Sequence, residues 1–317
     1  MRRSIIISLF VVLTMCIASC KRIELHTATS SVYLEIQTDR TAPINVHGSI
    51  DILNDPALYE KTFGPSIDVY RVCLFDRLTH RMVVEEFVPK DGGFLNVPTG
   101  TYDMIMYNSG SEVTYVQQGA SRATAYATTA NVSRNTEHLM AEPEHIFVAC
   151  IDGLEVQRYA ESDGLHIINV TTSKILDTYT LEMNRIENME RIMNAEVRIT
   201  GQLTKKYLWT RTSPDESASL SVKPVIDREN GRIYAVFNTF GRNTYHTGKV
   251  NAVLIVTDNN ERMHQWKIDV TDQMYGPDST NEIIIEDRIT IPDTDDGGGF
   301  TPEVNEWDED VTYVPIT

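Results

Sequence analysis

Four residues near the N-terminus have the types and the spacing for a covalent modification. Ile17-Ala18-Ser19-Cys20 resembles a lipobox, in which an aliphatic residue and two small ones precede a cysteine. A signal peptidase needs small side chains beside its cut, here between Ser19 and Cys20, and lipidation needs the thiol at the new N-terminus. Upstream, Arg2 and Arg3 precede an almost uninterrupted apolar run from Ile5 to Ala18. That run is too short to span a bilayer of about 30 Å, so it reads as the apolar part of a secretory leader rather than a membrane helix. Cys20 is therefore expected to carry acyl chains that hold the mature protein on a membrane surface; ordinary secretion with an incidental cysteine is the alternative. Each buried methylene contributes about 0.8 kcal/mol, so several chains need no further anchor.

The other chemistry-bearing residues form no recognisable reaction centre. The sequence holds no Gly-x-Ser-x-Gly elbow, no His-Glu-x-x-His and no phosphate-binding glycine loop. Its eight histidines are scattered, none at metal spacing from a second ligand, and read as surface or packed side chains. Asp293, Asp295, Asp296 and Gly297 miss the 1-3-5 acidic pattern of a calcium loop with glycine at position 6, and read as a solvated acidic linker. No enzyme activity, cofactor or metal is expected. Cys73 and Cys150 remain. Export permits a disulfide, and closing a loop of some 77 residues could stabilise by roughly 4 kcal/mol on the chain-entropy model. Both lie in strand-like runs, where two separate buried thiols are the commoner outcome.

Charge narrows the partners. The formal charge is −17, and loss of Arg2 and Arg3 with the leader leaves −19. No basic patch is available to neutralise phosphates, which argues against nucleic acid or anionic lipid as a partner. Hydrophobic residues make up 41% of the chain, enough for a real core.

The elements that position these residues are β nearly throughout. "SVYLEIQTD" alternates, with Val32, Leu34 and Ile36 on one face. "IDVYRVCLFD", "RMVVEEFV" and "GGFLNVPTGTYDMIMYNSG" follow, the last read as a hairpin turning at Pro98-Thr99-Gly100. Only "DPALYEKTF" (55–63) reads as a short helix, with a helical turn at 187–196 as a weaker candidate. A second strand series starts near Gly164, punctuated by Asn230-Gly231, Asp258-Asn259-Asn260 and Gly276-Pro277 at sandwich spacing. The expected layout is a leader (1–19), a tether (20–30), an N-terminal β-sandwich domain (31–155), a C-terminal β-sandwich domain (156–296) and a Gly-hinged tail (297–317). In that tail Val311, Tyr313 and Pro315 alternate with Thr312, Val314 and Ile316 behind the Gly297–Gly299 hinge, a strand pattern interrupted by a proline that removes one ladder donor.

The lipobox cysteine followed by Lys21-Arg22, the strands "VYLEIQTD" and "VYRVCLFD", the "GGFLNVPTGTYDMIMYN" segment and the closing "GGGFTPEVNEWDEDVTYVPI" together resemble the fimbrillin-like, Mfa-like lipoproteins of Bacteroidales. The resemblance implies an all-β chain of two tandem transthyretin-like, Greek-key β-sandwich domains. It also implies a non-enzymatic role in fimbria anchoring, assembly or adhesion at the outer membrane. Stalk subunits of that group exchange strands, so Val311, Thr312, Tyr313, Val314 and Ile316 could be donated to another fimbrial subunit or could close their own sheet, the default for a terminal strand. Related stalk subunits are also cut after an arginine in an early loop, where Arg40 stands; a lone loop arginine is ordinarily just solvated. The rival reading is a surface glycan-binding lipoprotein stacking sugars on exposed aromatics, with Trp209 and Trp307 as the freer rings and Trp266, alternating with Ile268 and Val270, as core. The leaflet stays open, because Lys21 and Arg22 precede the single acid Glu24.

Overall fold

Alternation becomes architecture at the first strand. In the computed structural model, which describes residues 29–132, 138–158, 164–213, 216–242 and 248–293 together with the backbone of Val311–Tyr313, β1 (Thr29–Asp39) turns Val32, Leu34 and Ile36 inward and leaves its other face to solvent. The strands β2 (Val69–Asp76), β3 (Met82–Pro89), β4 (Gly93–Pro98), β5 (Gly100–Asn108), β6 (Thr114–Gln117), β7 (Tyr126–Thr129), β8 (Leu139–Ala141), β9 (Phe147–Val156) and β10 (His166–Lys174) come next. A second run follows with β11 (Asp177–Met183), β12 (Ile186–Glu187), β13 (Ile192–Leu203), β14 (Lys205–Tyr207), β15 (Ser217–Val222) and β16 (Val225–Asp227). It closes with β17 (Arg232–Thr239), β18 (Asn251–Asp258), β19 (Met263–Asp269), β20 (Glu282–Ile285), β21 (Ile289–Thr290) and β22 (Val311–Tyr313).

Two sandwiches result, so the chain is all-β. The first is one sheet, β3-β2-β5-β9-β10-β1-β4, folded over where β9 and β10 share only the pairs Val148–Ser173 and Phe147–Lys174. Its leaves close on Val32, Leu34, Val72, Leu95, Met104 and Phe147, among others. β5 reads as an almost unbroken apolar run because both its faces are covered. Its outer face packs Ile105 and Tyr107 beside Cys73 and Phe75 under the sheet β14-β7-β6. In the second sandwich β22-β19-β18-β13-β15-β8 faces β16-β17-β11-β20 across a core that includes Leu181, Phe237, Leu254 and Trp266. Tyr179, Leu181 and Met183 point into that core. Each such buried aliphatic or aromatic side chain contributes about 1.5–3 kcal/mol relative to exposure.

The border between the sandwiches differs from the expected 155/156. β10 pairs in parallel with β1 from Val32–His166 to Asp39–Ser173, so it belongs to the first sheet, and only Ile175 and Leu176, both buried, separate it from β11. Moreover β8, drawn from the first series, adds to the second sandwich beside β15. The Gly164 turn signal lies just ahead of β10, inside the first sandwich, and no composition shift betrays the real junction.

The segment around Pro98-Thr99-Gly100 is also not a hairpin. β4 pairs with β1, whereas β5 pairs with β2 and β9, so the chain crosses between leaves at this point. The Tyr102 hydroxyl donates to the Pro98 carbonyl at 2.8 Å and clamps that corner, a device also found at the ends of other β-sandwiches.

The expected helix is Pro56–Phe63. Asp55 caps it, accepting from the amides of Ala57 and Leu58 at 2.9 and 3.2 Å, and Pro56 stands in the first turn. It stops at Gly64, with φ +90°, where a Cβ would fall 2.6 Å from the Phe147 ring. Residues 187–196 contain only a short 3-10 turn, Met189–Arg191. The helix and the preceding loop bury Ile50, Ile52 and Leu58 against Val236 of β17, locking the two sandwiches together. No helix among the described residues is long and apolar enough to cross a membrane.

Candidate functional site

The edges of the six-stranded sheet are where assembly chemistry would act, since an edge strand offers unpaired N–H and C=O groups. Both edges are occupied by three-residue strands drawn from distant sequence. On one side β8 pairs Leu139, Met140 and Ala141 with Ser219, Leu220 and Ser221. On the other, β22 runs antiparallel to β19, setting Val311 opposite Ile268, Thr312 opposite Lys267 and Tyr313 opposite Trp266. Trp266 is 6% exposed and sits in the core with Ile268 and Val270. Within this chain, then, the tail strand lies on its own sheet. Val314, Ile316, Trp307 and the Gly297–Gly299 hinge lie outside the described residues, as do Ser19 and Cys20.

Between the sandwiches a polar network surrounds a cavity of about 440 Å³. Lys61, in the last helical turn, reaches Glu142 at 2.7 Å and the Val236 carbonyl at 3.2 Å. The Asn238 side chain donates to the Lys61 carbonyl at 3.0 Å and accepts from Thr178 at 2.8 Å, while its amide donates to Glu142 at 3.2 Å. Burial pushes the Glu142 carboxyl up, against the pull of the Lys61 ammonium. His145 Nε2 donates to the Lys61 carbonyl at 2.9 Å, and burial holds the imidazole down to about 3. So weak a base, with its proton already committed to a carbonyl, is unsuited to acid–base work. The network joins the halves of the molecule. Sequence reasoning missed it because Lys61, Glu142 and Asn238 come from three separate regions with no local pattern.

Arg40 is neither a free loop residue nor an open cleavage point. Its guanidinium donates to the carbonyls of Phe63, Gly64 and Pro65 at 3.2, 2.9 and 2.8 Å and stacks 5.1 Å from the centre of the Phe147 ring. It thereby satisfies carbonyls that the helix end leaves orphaned.

The aromatic and cysteine candidates are likewise engaged. Trp209 packs against the outer core of β5, and the Arg122 guanidinium lies 4.2 Å over its ring, held there by Asp103 at 2.8 Å and Asp152 at 3.0 Å. A sugar could stack on that face only by displacing the arginine. Tyr33 and Phe94, not singled out by sequence, form an edge-to-face pair at 5.1 Å rather than a flat platform. Cys73 and Cys150 are free thiols. Cys73 pairs with Ile105 and Ile105 with Cys150, so the two lie two strands apart, about 10 Å, beyond disulfide reach. Among the described residues no group of three metal-ligating side chains occurs.

Comparison with known proteins places this fold. A Bacteroides ovatus structure described as a "putative adhesin" superposes with a TM-score of 0.62 at 17% identity, covering 87% of this chain and 98% of its own. A second Bacteroides ovatus structure under the same description gives 0.47 at 14% identity, over 93% and 98%. The fimbrial anchor protein Mfa2 of Porphyromonas gingivalis gives 0.46 at 11% identity, over 81% and 91%; these two likenesses are too loose to carry an argument. No curated protein matches the sequence. The model of a domain of unknown function, DUF5119, matches residues 60–222, just over half of the chain and across both sandwiches, and the chain belongs to that family.

Proposed function

We propose that the chain is a membrane-tethered, non-enzymatic surface protein of the fimbrillin-like kind, serving fimbria anchoring, assembly or adhesion at the outer membrane. The fold shared with the Bacteroides ovatus adhesin-type structure and the lipobox-like run from Ile17 to Cys20 support this reading. The observation that carries it is the pairing of β22 with β19. Strand exchange requires an open edge that a neighbour's segment completes, and here the segment on that edge comes from the same chain. That favours an anchor, a tip or a stand-alone adhesin over a polymerising stalk subunit. The Arg40 clamp favours a chain that is not cut in its first loop.

The test is made in cells. Labelled palmitate should enter the protein and be lost on Cys20→Ser, and cells lacking the protein should shed fimbriae or lose adhesion. Labelling that survives the substitution would sink the anchor. Unaltered fimbriae and adhesion, together with polymers formed by the purified chain, would sink the assigned role.

A further inference from the structure

One rim of the first sandwich gathers the start of β1, the β4–β5 corner and the β2–β3 turn. Thr29 pairs with Pro98 at the corner, and the Arg77 amide donates to the Thr101 carbonyl at 3.2 Å just past it. β10 begins on the same rim, with His166 beside Val32.

The turn, residues 77–80, is built rather than loose. Asp76 Oδ1 accepts from the Thr79 amide at 2.7 Å and its hydroxyl at 2.8 Å. The Asp76 carbonyl accepts from the His80 amide at 2.8 Å, and its amide donates to the Arg81 carbonyl at 2.9 Å. Arg77 lies against Gly153, where a Cβ would fall 2.1 Å from the guanidinium, and stands 3.6 Å from Asp152. This scaffold holds Leu78 outward with 91% of its surface exposed, the most of any large hydrophobic side chain described; Leu165, just ahead of β10, is 52% exposed. Arg77, His80 and Arg81 flank the leucine, and the Arg81 side chain makes no ion pair among the described residues. Asp76 and Asp152 offset the two arginines, so the tip is near neutral as well as apolar, which stands out on a chain of charge −17.

We propose that this turn is a membrane-contacting tip, with Leu78 entering the headgroup layer of the bilayer that holds Cys20 and Arg81 meeting lipid phosphates. The inference rests on the reading of Cys20 as a lipid anchor. Thr29 lies nine residues beyond Cys20, a reach of at most about 30 Å, so this rim is the part of the body tethered nearest the bilayer. A leucine beside an arginine without a carboxylate partner is a pairing that an interface rewards, apolar surface inward and positive charge at the headgroups. The acidic remainder of the body is repelled from the same surface.

The lipidated full chain is reconstituted into phosphatidylethanolamine–phosphatidylglycerol vesicles with an environment-sensitive fluorophore on Leu78→Cys or, at the opposite end of the sandwich, on Gly110→Cys. Emission from position 78 should move to the blue and be quenched by brominated acyl chains, with position 110 unchanged. A chain that floats with the vesicles while position 78 stays as solvated as position 110 overturns the inference. A chain that does not float overturns the anchor, and the tip falls with it.

Discussion

His145 should make the protein acid-sensitive in a way that a single substitution removes. Its ring is 1% exposed at the junction of the sandwiches, with Nε2 donating to Lys61 and Nδ1 buried without a partner. Burial first, and the nearby positive charge of Lys174 and Arg40, lower its pKa from 6.5 to about 3. The unfolded chain therefore takes up a proton near pH 6.5 while the folded chain stays neutral until about pH 3. Between those values the unfolded state binds more protons, so stability falls as pH falls, by about 1.4 kcal/mol per unit. From pH 6 to pH 4 the loss is about 2–3 kcal/mol, a large share of a marginal total. Urea unfolding at pH 6, 5 and 4 would compare the wild type with His145→Gln, whose amide can keep the bond to Lys61. Carboxylates titrate in both chains, so the difference between the two curves isolates His145. It should widen by about 2–3 kcal/mol toward acid. A difference that stays flat with pH would refute the reasoning, because it would mean that the folded state accepts the proton at an unshifted site.

Three further outcomes follow from the geometry. Truncation after Asp296 removes β22 and bares the β19 edge; with about 1 kcal/mol net per backbone hydrogen bond the loss is about 2 kcal/mol. Thermal melting of a leaderless chain should then drop by about 4–8 °C, whereas no change would mean a spare strand available to another subunit. Arg40→Ala strips three carbonyls of a charged donor and should cost about 2–4 kcal/mol in denaturant unfolding, with little rescue by lysine, which cannot span them; a neutral result would restore the solvated-loop view of this residue. Burial pushes both the Cys73 and Cys150 thiols up, so in a Cys20→Ser chain neither should react quickly with a thiol reagent, and both should react after unfolding without reductant. A bridge found by mass spectrometry would contradict the two-strand separation.

Much of the fold was legible because strands announce themselves locally. The alternation of Val32, Leu34 and Ile36, the Asp55–Pro56 helix start and the inward set of Tyr179, Leu181 and Met183 each follow from period and cap chemistry within a few residues. Pairing partners were less legible. The run 92–110 has hairpin punctuation, but strand order is decided by which leaf each half covers, and the Tyr102 clamp that turns the corner resembles an ordinary strand tyrosine. The junction at Ile175 and Leu176 is apolar because it is buried between sandwiches, so it carries none of the Gly, Pro or polar signal that marks a linker. The site was legible only where it is linear. The tail strand stands out in the sequence, whereas the Arg122 lid on Trp209 and the Lys61–Glu142–Asn238 network join residues remote in the chain.

The parallel pairing of β1 with β10 has a mechanical meaning. If Cys20 is lipidated as proposed, its tether would pull on Thr29 along the axis of β1, between β10 on one side and β4 on the other. Tension in that direction shears the ladder, so its eight β1–β10 residue pairs resist together instead of peeling one after another. Rupture is then governed by the rate of crossing one high barrier. Single-molecule pulling from residue 29 against residue 293 should give markedly higher rupture forces than pulling at right angles to β1; equal forces would remove the argument. A surface protein held by its first strand in this way could stay folded under flow with only modest equilibrium stability.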